Sequence, residues 1–78
     1  MKTFEGIVAL VLAGHDVLLV ADAVGTVCMF QVLPGALIRR DCFPTNLGSL
    51  QPTDFVRFIA DESGYVSEIA AVSMEPLG

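Results

Sequence analysis

Apolar and polar positions alternate most regularly in two consecutive runs of the chain, residues 55–60 and 65–72. Residues 61–64 between them are three polar residues and a glycine, which adopts positive φ without a Cβ clash. Two alternating runs joined by a short glycine-containing loop are typical of a β-hairpin. The positions predicted to form its apolar inner surface, which needs a cover, are Val56, Phe58, Ala60, Val66, Ala70 and Val72.

Three more apolar runs precede the hairpin and predict strands at 4–12, 17–21 and 26–33, with turns at 13–16 and 22–25. The first run is apolar on both faces from Ile7 onward, as in a strand that is covered on both sides. Gly6 within this run predicts a bend or a bulge, which a small barrel needs in order to curl.

The middle of the chain carries the strongest turn signal. Pro34 presets φ and Gly35 supplies the positive φ of a type II turn, so the chain is expected to reverse there. Residues 37–42 then form either a short fourth strand or the start of a long irregular connection. Residues 43–49 have the composition of a loop.

The pattern predicts an all-β fold. No segment repeats apolar residues at helical spacing over three turns, so no long helix is expected. Five or six short strands with turns at intervals of about ten residues are typical of a small barrel or sandwich. An antiparallel barrel is the more economical choice because it removes sheet edges. We expect one barrel domain over residues 1–73 and a tail over 74–78.

Composition adds an expectation of association. The chain has 78 residues, 54% of them apolar, and a mean hydropathy of +0.69. A domain of this size buries only about 60% of its unfolded surface. The apolar content exceeds what so small a domain can hide, so we expect a homo-oligomer, a protein partner or an exposed apolar groove.

The net charge of the chain limits which kinds of partner are expected. Four basic and nine acidic residues give a net charge of −5, which works against general affinity for nucleic-acid phosphates. A local basic patch stays open as an alternative, because three of the four cations are Arg39, Arg40 and Arg57.

Cysteine content and hydropathy favour a cytoplasmic protein. Cys28 and Cys42 are too few for a disulfide framework or a metal site, and both are expected to be buried thiols. The apolar run at 7–12 is short for a signal peptide and forms part of the first strand, so no signal is expected. No run approaches the roughly 20 apolar residues of a membrane span, so no membrane partner is expected.

Several of these residues form a pattern that resembles the cold-shock domain. They are Ser49, Leu50, Gln51, Val56, Phe58, Gly64, Ala70 and Val72 in the final hairpin, Gly6, Ile7 and Val8 in the first strand, and residues 27–30 in the third. The resemblance implies a five-stranded oligonucleotide/oligosaccharide-binding (OB) barrel that binds single-stranded nucleic acid. The aromatic residues that stack bases in that family are largely aliphatic here, at 10–11 and 17–20, and only Phe30 is kept clearly. Aliphatic side chains pack well but stack bases poorly.

The nucleic-acid hypothesis rests on five residues, Phe30, Arg39, Arg40, Phe55 and Arg57. Phe55 and Arg57 lie on the outer face of their strand and, with Tyr65, are candidates for stacking and cation–π contact. Alternatively, this face is a barrel wall covered by the long loop or by a second subunit. The arginine pair either contacts phosphates or points to opposite sides, with one arginine paired to a carboxylate.

No residue pattern predicts catalysis. His15 and Asp16 are adjacent in a turn and lack a nucleophile, and Asp16 is expected to accept backbone amide bonds there. No glycine-rich phosphate loop follows a strand, and no cofactor or metal is expected. Two non-enzymatic functions remain: single-stranded nucleic-acid binding, or a self-associating or protein-interaction module that uses the aliphatic wall of the first three strands.

Overall fold

A computed structural model describes residues 1–74 of the chain. Its six strands are β1 (Lys2–Leu12), β2 (Val17–Ala21), β3 (Val27–Arg40), β4 (Phe43–Thr45), β5 (Phe55–Ala60) and β6 (Tyr65–Val72). Two single-turn 3-10 helices, Ala13–His15 and Leu47–Ser49, follow β1 and β4. Residues 1–74 contain no α-helix, and no helix among them is long and apolar enough to cross a membrane. Apart from Met74, the predicted tail lies outside the described residues.

Five strands close into a barrel in the order β1-β2-β3-β6-β5, and β5 returns to β1. The sixth strand, β4, pairs with the carboxyl half of β3. This architecture confirms the predicted small all-β barrel and is consistent with an OB-like fold. One of its pairings, between β3 and β6, is parallel, while the others are antiparallel.

β1 closes the barrel because it pairs with two neighbours in turn. Its amino half pairs with β5 and its carboxyl half with β2, with a register shift between Val8 and Leu10. Gly6 lies where the two pairings meet, and a Cβ there would come within 2.5 Å of the Ala21 carbonyl oxygen. The strand does have an irregularity, but it lies between Val8 and Leu10 rather than at Gly6, and the glycine instead permits the close approach of β1 to β2.

The predicted turn at Pro34 and Gly35 is wrong, because β3 runs through both residues and continues to Arg40. The positive φ expected of Gly35 is not present. The parallel pairing of β3 with β6 is interrupted between Val32 and Leu37, so the missing N–H of Pro34 costs no ladder hydrogen bond. Of the alternatives for 37–42, the strand is correct for most of the segment. The predicted loop at 43–49 contains β4 and a 3-10 turn.

The hairpin of β5 and β6 is confirmed, but only part of its inner face was predicted correctly. Val56, Phe58, Ala60 and Val66 are fully buried in the barrel core. A one-residue register shift near Ser67 then turns β6 over, since Ile59 pairs with Glu68 while Ala60 pairs with Val66. Such a slip exchanges the two faces of a strand. Ile69 and Ala71 therefore enter the core, and Ala70 and Val72 face outward.

The prediction that both cysteine thiols are buried is wrong, since Cys28 and Cys42 are exposed and unbridged. Cys28 lies one residue after β3 begins, at the mouth of the barrel. Cys42 lies in the tight turn between β3 and β4, where it has a positive φ of 72°. Sequence hydropathy marked both as interior residues, but their positions at strand ends leave the thiols in contact with solvent.

Candidate binding surfaces

The ring of Phe30 packs into one end of the barrel core. Its centroid lies 5.4 Å from that of Phe4 and 4.7 Å from that of Phe58, in tilted and edge-on arrangements. Phe4 and Phe58 stack on each other at 5.5 Å. These distances are typical of favourable aromatic pairs. Phe30 is partly buried against these two rings and also lines a small cavity with Phe4, Phe58 and Cys28.

Arg40 lies on the inner side of β3 and forms an ion pair with Asp54. The side chain of Asp54 is buried, with only 2% of its surface exposed. The Arg40 Nε donates to Oδ2 at 2.7 Å and the Arg40 Nη2 to Oδ1 at 3.0 Å. The backbone N–H of Gln51 donates to the same carboxylate at 2.9 Å. The Arg40 hydrogen bonds lower the pKa of Asp54 below its usual value against the opposing effect of burial, and the Gln51 bond lowers it further. Arg39 is exposed on the opposite side of the strand.

Phe55 and Arg57 do lie together on the outer face of β5, but Tyr65 is not with them. Phe55 pairs with Val72 at one end of β6, whereas Tyr65 pairs with Gln31 from β3 at the other end. The predicted grouping of these three side chains is therefore wrong. Arg57 instead donates to Glu5 on β1 at 3.1 Å in an exposed ion pair.

Three of the five predicted binding residues, Arg39, Phe55 and Arg57, share one outer face of the barrel. Arg57 pairs with Ala70, which in turn pairs with Arg39, so the register places all three side chains on the same side of the sheet. We call this surface, formed by the outer sides of β5, β6 and the end of β3, the arginine face. It contains a groove of about 420 Å³ lined by Phe55, Arg57, Ala70, Val72 and Met74.

A second surface lies on the outer side of β1, β2 and the first half of β3. Two rows of paired residues form it, each running across the three strands. The first row is Ile7, Ala21 and Val27, and the second is Leu10, Leu19 and Met29. We call these six residues the aliphatic wall. Its four exposed large side chains, Ile7, Leu10, Val27 and Met29, leave 39 to 72% of their surface in solvent. The sequence predicted an aliphatic wall here but could not show which positions face outward.

The polar residues of the turns have structural contacts that the sequence only partly predicted. Asp16 accepts its bonds from β3 rather than within its own turn as predicted: its carbonyl oxygen accepts the Val32 N–H and the Gln31 side chain. Asp22 and Asp61, which the sequence placed in turns without assigning them a contact, each accept two backbone N–H bonds within their own turns. An aspartate at the first position of a turn is the signal that could have identified them.

Asp41 joins the turn after β3 to the end of β6. Its carboxylate accepts the Ser73 N–H at 2.9 Å and the Ser73 hydroxyl at 2.8 Å. These bonds lower the pKa of Asp41 below its usual value. Within residues 1–74, no three His, Cys, Asp or Glu side chains cluster closely enough to hold a metal ion.

No protein-family model matches this chain, and comparisons with curated proteins and with solved structures find no match. The likeness to the cold-shock domain therefore rests on the residues quoted above and on the closed barrel. The candidate surfaces have to be interpreted from their own geometry.

Proposed function

We propose that this protein is a non-enzymatic OB-like binding module that self-associates through the aliphatic wall. The observation that supports the proposal is the pair of cross-strand rows in which every outward position is apolar. Met29, at the β3 end of one row, is the most exposed residue of the wall at 72%.

The size of the wall supports a docking role. Together its side chains expose apolar surface on the order of several hundred Å², the size at which such patches mark interaction sites. A stable interface buries about 800 Å² on each partner, with an apolar core and a polar rim. The wall has the composition and extent of such a core, and the polar turns at its ends, which include Asp16 and Asp22, would supply the rim.

A second copy of the chain can meet the wall without charge repulsion at the contact itself. Each copy carries a net charge of −5, so two copies repel each other over most approaches. The six positions of the wall carry no charge, so this face allows contact without placing carboxylates opposite one another. A two-fold axis through the wall would set the same rows against each other in a closed dimer.

Single-stranded nucleic-acid binding, which the cold-shock resemblance implies, stays a prediction with weaker physical support. Phe30 packs on Phe4 and Phe58, and Arg40 binds the buried Asp54, so two of the five required residues already have partners inside the barrel. Arg57 is paired with Glu5. The acidic balance of the chain further weakens attraction to phosphates.

The proposal is tested by measuring the mass of the protein in solution by sedimentation velocity across a concentration series. The wild-type chain is expected to sediment as a dimer of its 8.3 kDa protomer. Met29→Asp places a charge at the most exposed position of the wall and should give a monomer. Phe43→Asp is a matched control, because Phe43 is 73% exposed on β4, away from the wall.

Two results would contradict self-association through the wall: a wild-type monomer at high protein concentration, or a Met29→Asp variant that stays dimeric. Circular dichroism of both variants establishes that the barrel is intact. A titration of labelled oligothymidylate, repeated at increasing salt, tests the nucleic-acid prediction separately.

A further inference from the structure

The groove on the arginine face combines an apolar surface with one lining cation, Arg57, and Arg39 lies next to it on the far side of Ala70. Its side walls are the ring of Phe55 and the side chains of Val72 and Met74. Val72 and Met74 are each more than half exposed. The groove volume of about 420 Å³ falls in the range of small-molecule sites, roughly 300–1,000 Å³. The groove lies on β5 and β6 and the aliphatic wall on β1, β2 and β3, and the two surfaces meet where Phe55 pairs with Ile7.

Ala70 leaves a gap between two arginines at one end of this groove. Its backbone pairs with Arg57 on one side and with Arg39 on the other, and its own side chain is exposed. With strands spaced about 4.8 Å apart, the two arginine Cα atoms lie roughly 10 Å from each other across the sheet. A methyl group between two long cationic side chains leaves room for a small anion between them.

The present partner of Arg57 is one that a ligand could replace. Glu5 accepts a hydrogen bond from Arg57 Nη2 at 3.1 Å. The side chain of Arg57 is 65% exposed and that of Glu5 is 52% exposed. Exposed ion pairs of this kind are weak and exchange with solvent. A carboxylate that arrives with an apolar body gains the burial of that body in addition to the arginine contacts.

We propose that this groove binds a small amphiphilic carboxylate, that is, a carboxylate at the end of an unbranched apolar chain. The carboxylate lies over Ala70 between Arg57 and Arg39, and the chain lies along Phe55, Val72 and Met74. A single carboxylate suits the site better than a nucleic-acid strand. Glu5 and Glu68 lie on the same face and would repel a series of phosphates.

The experiment is a titration of the ¹⁵N-labelled protein with octanoate, followed by amide chemical shifts. The neutral analogue 1-octanol and the short anion acetate serve as ligand controls. Octanoate is expected to shift the amides of Arg57, Ala70 and Val72, and to bind at least about tenfold more tightly than either control. Running the titration on the wild type and on Met29→Asp separates this site from self-association.

Variants then test the two halves of the site. Arg57→Gln and Arg39→Gln should each weaken octanoate binding about tenfold, because each removes a charge-assisted contact. Lys2→Gln removes a cation at the far end of β1 and should leave binding unchanged. Ala70→Leu fills the gap while keeping the charges and should abolish binding.

The proposal is overturned by any of four results. These are no shift at millimolar octanoate, equal binding of 1-octanol, shifts centred on Leu19 and Met29 of the aliphatic wall, and equal weakening by Lys2→Gln. Oligothymidylate that shifts the same amides more strongly than octanoate would also overturn it, in favour of nucleic acid on this face.

Discussion

Arg40 and Asp54 form a two-point ion pair that joins the end of β3 to the loop before β5. The backbone of Asp54 extends the same connection to β1, since its carbonyl oxygen accepts the Val8 N–H at 2.9 Å. A buried carboxylate is costly unless it is paired and hydrogen-bonded, and Asp54 is both. This pair therefore stabilises the junction of three strands.

Removing the arginine from this pair should destabilise the protein strongly. Arg40→Ala leaves the Asp54 carboxylate buried without its cation, and we expect the free energy of unfolding to fall by about 3 kcal/mol. Arg39→Ala, on the exposed side of the same strand, should change it by less than about 0.5 kcal/mol. Urea denaturation of both variants measures the difference, and equal effects would contradict a structural role for the pair.

The same pair predicts a loss of stability in acid. The pKa of Asp54 is lowered in the folded protein relative to the unfolded chain. Its contribution to stability is therefore complete above the unfolded pKa, near 3.8, and is lost as the pH falls through the lower folded pKa. Asp41 acts in the same direction through its bonds from Ser73. The urea midpoint should thus fall below about pH 4.

A double variant serves as the control for this acid effect. Arg40→Met with Asp54→Asn removes both charges, so its urea midpoint should depend less on pH than that of the wild type. A wild-type midpoint that is flat between neutral pH and pH 3 would show that the carboxylate contributes little.

Gly6 should tolerate no side chain. A Cβ at this position would come within 2.5 Å of the Ala21 carbonyl oxygen and would overlap Val20 Cγ1, so β1 and β2 would have to separate. We expect Gly6→Ala to cost about 2 kcal/mol or more of unfolding free energy. Gly14→Ala is the matched control, because a Cβ there meets no atom within 4 Å. Thermal unfolding of the two variants checks the contrast, and equal melting temperatures would refute it.

Phe30 should matter for folding rather than for ligand contact. Phe30→Ala removes a ring that packs on Phe4 and Phe58, and we expect a loss of about 2 kcal/mol, below the full value for a completely buried phenylalanine. Phe43→Ala, on an exposed ring, should cost far less. If Phe30→Ala is as stable as the wild type in urea, the ring is free to stack on a ligand.

Both thiols should react in the native protein. Cys28 and Cys42 are exposed, so a thiol reagent such as Ellman's reagent should modify two groups per chain without denaturant. A thiol count that rises only after urea is added would mean that a partner surface covers one of them.

The sequence was most informative where side-chain alternation decides the structure. Val17–Ala21 and both strands of the final hairpin were predicted with their observed bounds, because each is a short run flanked by clear turn residues. Pro34 misled because the effect of its missing N–H depends on whether a partner strand needs a hydrogen bond at that position, which only the tertiary pairing determines.

The candidate surfaces were harder to predict than the strands. The one-residue register shift at Ser67 exchanges the inward and outward positions in the carboxyl half of β6, and no residue type there predicts a bulge. That slip exposes Ala70 and Val72 and so creates the groove. The pairing of Arg40 with Asp54 depends on contact between separate elements, and the sequence indicated only that one arginine would find a carboxylate.

The parallel pairing of β3 with β6 sets how this chain can fold. The β5–β6 hairpin joins neighbouring segments and can form early, whereas Gln31 meets Tyr65 only after nearly half of the chain has been brought together. Contacts between residues so far apart in the chain slow folding, because the conformational entropy of the intervening loop is lost before the pairing contributes any stability. The pairing of β1 with β5 joins residues still farther apart in the chain. We therefore expect slow refolding for so small a protein, and we expect Val32→Ala to reduce the refolding rate more than substitutions in the hairpin turn do.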